Sequence, residues 1–146
     1  MIVALVAVAS LCASDPDPFI GKWKLNWEKS RSSEEKPKSA VRTYKRASNG
    51  IRVSELWVDH TGKRIKLDYV AAYDGKDYKV RTAATDAVSF TRPDPHTAVG
   101  ASKTNGNVAY TFKRIVSEDG QTLTIEMTNP SVGETPTKVL VYDRMK

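Results

Sequence analysis

Phe19-Ile20-Gly21-Lys22-Trp23-Lys24-Leu25-Asn26 is the stretch that decides how this chain is read. It sets a Gly-x-Trp on the first run with strand character, directly after an apolar leader. Nine further short runs of β character follow it. Turn signals separate these runs: Asn49-Gly50, Thr61-Gly62, Asp74-Gly75, Asn105-Gly106 and Asp119-Gly120. Asn-Gly and Asp-Gly pairs supply the positive φ angles that tight hairpins need. Looser breaks fall at 83–86, at Pro93-Asp94-Pro95 and over 129–136.

The spacing predicts strands at about 19–27, 39–47, 51–59, 63–73, 77–82, 87–92, 96–104, 107–116, 121–128 and 137–145. Several runs alternate with a period of two. Ile65, Leu67, Tyr69, Ala71 and Tyr73 interleave with Arg64, Lys66 and Asp68; Leu123, Ile125 and Met127 interleave with threonines and Glu126; Val108, Tyr110 and Phe112 interleave with Ala109, Thr111 and Lys113. That is the pattern of half-buried antiparallel strands. The polar segment Glu28–Lys38 breaks the meander, either as a solvated loop or as a short helix capped by Ser32 or Ser33. Short strands in a meander leave two bare edges unless the sheet closes on itself. The expected fold is therefore all-β: one up-and-down antiparallel barrel of about 8–10 strands, an architecture that is either filled or holds one small ligand.

The chain has 146 residues, suited to one domain. Charged residues make up 27% of it, and the formal net charge is +6. Met1 to Ala13 are almost wholly apolar, too short a run for a membrane helix, which needs roughly 20 residues. The run fits the core of a signal peptide, with Asp15-Pro16 beyond the cut, although no basic residue precedes it. Residues 1–14 are read as the leader and 15–146 as the barrel domain, so the protein is expected to be secreted or periplasmic. Cys12 is the single cysteine, which excludes an internal disulfide. Leu11 and Ala9 match a lipidation signal poorly, so a lipid anchor through Cys12 is the disfavoured alternative.

The opening stretch resembles that of the calycins, the lipocalins and fatty-acid-binding proteins. With Asn26 and Lys29-Ser30, Tyr73-Asp74-Gly75-Lys76-Asp77-Tyr78, and Val141-Tyr142-Asp143-Arg144 at the end, residues 17–146 are similar to a group of bacterial lipocalin-like domains. The resemblance implies that Trp23 packs at the closed end of the barrel under Arg144, where Gly21 lets the chain pass closely. A guanidinium over an indole is worth about 0.5–2 kcal/mol. Fatty-acid-binding proteins hold a carboxylate with Arg-x-Tyr on the last strand. The matching positions here are Leu140-Val141-Tyr142, so the arginine is missing and that clamp is not implied; an arginine from another strand, such as Arg42, would have to replace it.

The residues offer little for catalysis. His60 and His96 are the two histidines, both beside turns and without metal-ligand spacing. No nucleophile elbow, phosphate loop or matched acid and base stands out. Arg42-Thr43-Tyr44-Lys45-Arg46, Arg52, Lys63, Arg64 and Lys66 interleave charge with a ring, as in surfaces that stack single-stranded nucleic acid. The plainer reading is a solvated strand face that discourages edge pairing, so no nucleic acid is expected. The aromatic residues are the remaining candidates. Trp57, Tyr69, Phe90, Tyr110, Met127 and Tyr142 are the expected lining of a site for a small hydrophobic or amphiphilic ligand. The expectation is a monomeric, non-catalytic binding protein without a cofactor, its basic charge drawing it toward anionic envelope surfaces. The alternative is an interaction or inhibitor module, a filled barrel acting through its loops or its basic face.

Overall fold

A computed structural model describes residues 17–146 apart from Ala83. The leader expected over 1–14, including Cys12, lies outside the described residues. Ten strands follow in order: β1 (Gly21–Leu25), β2 (Ser39–Ala47), β3 (Gly50–Val58), β4 (Arg64–Ala71), β5 (Tyr78–Lys79), β6 (Ala87–Asp94), β7 (Thr97–Thr104), β8 (Asn107–Val116), β9 (Thr122–Thr128) and β10 (Lys138–Arg144). They form one antiparallel sheet in the order β4-β3-β2-β1-β10-β9-β8-β7-β6-β5. Every neighbour in that order is also a neighbour in sequence except β1 and β10, whose pairing closes the meander. The seam lies between β4 and β5; among the described residues a backbone bridge from Asp74, just beyond β4, to Thr91 of β6 and the hydrogen bond of the β5 residue Tyr78 to Asp74 tie the two sides. The fold is thus a nearly closed up-and-down barrel, compatible with a lipocalin-like architecture. No helix among the described residues is long and apolar enough to cross a membrane.

Where strands fall short of the predicted spans, local hydrogen bonds are the cause. β5 keeps two residues of the expected 77–82 because the Thr82 hydroxyl accepts from Thr85 N–H and donates to its carbonyl, turning the chain out of the sheet. Over 28–38, no helix forms on Ser32 or Ser33. A short 3-10 turn at Trp27–Lys29 is capped by Asn26, whose side chain accepts from Lys29 N–H at 3.2 Å. The chain beyond it is then held extended, since Arg31 exchanges both backbone hydrogen bonds with Val139, at 2.7 and 2.8 Å.

Alternation along the strands divides the molecule into an inside and an outside. One end is solid, with Phe19, Trp23, Tyr44, Ile51, Val53, Phe90, Val116 and Leu123 all almost fully buried. At that end Arg144 lies over the Trp23 ring, 4.1 Å from its centroid. Its guanidinium donates to the carbonyls of Pro18, Ile20 and Gly120, while the indole N–H donates to Phe19 O at 2.9 Å. A Cβ on Gly21, at φ 140°, would come within 2.5 Å of the Arg144 guanidinium, which is why glycine stands there. The pairing implied by resemblance is present.

Candidate functional site

Above the solid end the barrel is hollow. A cavity of about 280 Å3 runs toward the open end formed by 26–38, 59–63, 80–82, 84–86, the β7–β8 turn and 129–137. Its walls come from the inward positions of β2–β4 and β6–β10, with β3 supplying Glu55 and Trp57 and β8 supplying Tyr110, Phe112 and Arg114. At ~30 Å3 for each water-sized group, the space holds about nine. It falls just below the roughly 300–1,000 Å3 usual for ligand sites, which limits the ligand to a small one.

Of the expected lining residues, Trp57, Tyr69, Tyr110 and Met127 do face this cavity. Phe90 and Tyr142 lie one layer deeper. Phe90 makes tilted edge contacts with the rings of Tyr69, Tyr73 and Phe112, at centroid distances of 6.3, 5.1 and 6.2 Å, and so floors the cavity. Tyr142 is fully buried, and its hydroxyl donates to Glu55 Oε1 at 2.7 Å. Burial first, and the Glu55 charge second, hold that phenol well above its ordinary pKa, so it stays a donor. Leu140, where an Arg-x-Tyr would carry its arginine, is apolar wall.

The cavity's polar equipment comes mostly from residues outside that expected set. Arg42 points inward, 7% exposed, with Nη1 3.3 Å from Glu55 Oε2. Arg114, 4% exposed, meets no carboxylate among the described residues: its Nη2 donates to the Tyr69 hydroxyl at 2.9 Å, and its guanidinium lies 4.1 Å from the Phe112 ring centroid. Among the described residues, the Nε atoms of both arginines and the buried hydroxyl of Tyr44 have no hydrogen-bond partner. Arginine stays protonated in proteins. Two guanidiniums and one carboxylate therefore leave the deep cavity one positive charge in excess. A sequence signal for this existed. Arg114 shares its strand parity with Tyr110, Phe112 and Val116, and Arg42 shares its parity with Ala40 and Tyr44. A cation on the apolar side of a strand and away from its ends is a candidate buried cation; Arg46, of the same parity at the end of β2, is exposed.

Those inward turns also dismantle the stacking surface considered for 42–46. Tyr44 is 1% exposed, so its ring is closed to a base, and of the cations in the run only Lys45 and Arg46 reach solvent. His60 and His96 remain at turns, where His60 Nε2 meets Glu35 at 2.9 Å and the His96 ring contacts Val116 O at 3.1 Å. No group of three or more potential metal ligands occurs among the described residues.

At the mouth, the segment 30–38 crosses from β10 to β3. Lys38 N–H donates to Val58 O at 2.9 Å, Glu34 pairs with Lys138, and Glu35 pairs with His60. Glu34 and Lys138 both face the cavity, so the rim is polar and neutral while the depth is basic. No family model matches the chain, and no curated protein matches it.

Proposed function

We propose that the barrel is a non-catalytic binding protein, secreted or periplasmic, for a small amphiphilic anion. One observation carries this reading: Arg114 holds a charge inside an apolar, aromatic cavity, where the Tyr69 hydroxyl and the faces of Phe90 and Phe112 meet it and, among the described residues, no carboxylate does. Removing a cation from water is costly unless a counter-charge meets it. A carboxylate or similar monoanion, its apolar part lying among Trp57, Leu67, Tyr110 and Met127, supplies that counter-charge and accepts from the free Nε. Arg42 is the poorer anchor because Glu55 already neutralises it. Chemistry is left out of the reading because the one carboxylate in the depth, Glu55, is engaged by Arg42 and Tyr142, and no histidine faces the cavity. The alternative of a filled barrel acting through its surface fits the hollow interior less well.

Displacement of a fluorescent amphiphilic anion tests the reading. Octanoate is expected to displace it at least about tenfold better than octanol, the value of roughly one charge-assisted hydrogen bond. Native mass spectrometry of protein purified from its own host should show an adduct that is lost on denaturation. Equal displacement by the acid and the alcohol, with no adduct, overturns the proposal.

A further inference from the structure

We infer that the outer face of β1–β4 docks on an anionic lipid bilayer. The register sets the outward side chains of these four strands in rungs. Lys24, Val41, Leu56 and Lys66 make one; Lys22, Thr43, Ser54 and Asp68 the next; Lys45, Arg52 and Val70 a third; Arg64 stands beside Val58 at the open end. The outward charges are thus six cations, Lys22, Lys24, Lys45, Arg52, Arg64 and Lys66, against one anion, Asp68. Asp68 is spent on Arg52, with Arg52 Nε 2.9 Å from its Oδ1. The other five cations have no ion pair among the described residues.

The opposite wall is different. The outward charges of β7–β10 are Lys103, Lys113, Glu126 and Asp143, which sum to zero, and Lys113 stands directly across from Glu126. Protection of a free sheet edge accounts for Arg64 and Lys66, because β4 borders the seam. It does not account for Lys22, Lys24 and Lys45, since β1 and β2 are paired on both sides. Adjacent strands stand ~4.8 Å apart, so these cations lie within about two Debye lengths of each other and repel at physiological salt. An anionic surface relieves that repulsion and attracts each cation near it.

The apolar members of the face choose between partners. Val41 and Leu56 sit between Lys24 and Lys66, and Val70 and Met145 are 42% and 41% exposed. Aliphatic groups ringed by lysines suit the headgroup boundary of a bilayer. A single nucleic-acid strand asks for exposed rings, and the outward positions of β1–β4 carry none.

The test is co-sedimentation of the full chain with vesicles of phosphatidylcholine and phosphatidylglycerol in equal parts, beside vesicles of phosphatidylcholine alone. Any contribution of residues 1–16 is the same in every variant. Wild type is expected to prefer the anionic vesicles and to lose that preference at high salt. Lys22→Gln, Lys45→Gln and Lys66→Gln combined should weaken the preference about a hundredfold, at roughly fivefold for each lysine near the surface. Lys113→Gln on the opposite wall should leave it unchanged. Equal binding to both vesicles, an equal loss in the Lys113 variant, or tighter retention on single-stranded DNA than on the anionic vesicles at one salt concentration overturns the inference. Because all substitutions are on solvent-facing side chains, the displacement assay on the interior site serves as the folding control.

Discussion

Arg42 and Arg114 stand on the wall of one cavity and differ in their company, and that difference sets what each substitution does. Glu55→Gln leaves Arg42 buried without its counter-charge, so it should destabilise the protein by about 3–5 kcal/mol. Arg114→Met removes a buried charge that has no carboxylate to lose. It should leave unfolding stability unchanged or raise it, by up to about 1–4 kcal/mol, while cutting affinity for an amphiphilic anion by roughly 30-fold or more. Urea unfolding and octanoate titration of the two variants read both quantities. Equal destabilisation of the two would show that Arg114 is structurally compensated and is not an anchor. Tyr44 sits in the same neighbourhood, and burial keeps its hydroxyl protonated, so it adds an unpartnered donor and no charge.

Among the elements, the turns carry a shared device. The Asp59 carboxylate accepts from the Thr61 hydroxyl at 2.6 Å and from the Thr61 and Lys63 N–H groups at 2.9 Å each. Asp74 accepts from the Tyr78 hydroxyl at 2.7 Å, and Asp119 accepts from Ser117 and Gln121. Hydrogen bonds from the neighbouring hydroxyls, with help from backbone N–H groups, hold all three below the usual carboxylate range. A carboxylate whose folded pKa is depressed stabilises the fold above its unfolded value, near 3.9, and loses that contribution as pH falls through the folded value. The melting temperature should therefore fall below about pH 4. Asp59→Asn and Asp119→Asn should each flatten that acid limb; an unchanged slope in both would remove these turns as its cause. The same turn chemistry made the strands legible from sequence. Asn105, at φ 51°, and Gly106, at φ 77°, form the hairpin turn that their dipeptide announces, and the alternation of Leu123, Ile125 and Met127 assigned their faces. The polar floor of the cavity was less legible. Arginine on a strand is usually a solvent-side residue, and the tie of Arg42 to Glu55 depends on register between β2 and β3, which periodicity alone does not set. Phe90 and Tyr142 share the right parity with the cavity wall, but depth along the barrel axis, not parity, puts them beneath it.

For the whole molecule, closure is uneven. One end is a filled plug under Arg144, the middle is hollow and basic, and among the described residues the seam between β4 and β5 is held by one backbone bridge and the Tyr78–Asp74 hydrogen bond. The ring is completed by β1 and β10, paired through Trp23–Arg144, Lys24–Asp143 and Leu25–Tyr142. Both strands have their outer ends at the plug: β1 begins there and β10 finishes there. Under mechanical tension this arrangement is a zipper. Force applied between residues 17 and 146 pulls two antiparallel neighbours apart from the same end, so their backbone hydrogen bonds break in succession and do not share the load. The two-point ion pair of Arg92 with Asp17 and the Arg144 clasp on Pro18, Ile20 and Gly120 take the first strain, and once they yield the barrel should open at low force. Single-molecule pulling from residue 17 against residue 105, at opposite ends of the barrel, should need clearly more force, because there the strands must slide past one another with many bonds loaded together. Equal forces in the two geometries would show that the closing pair is not where the molecule gives way.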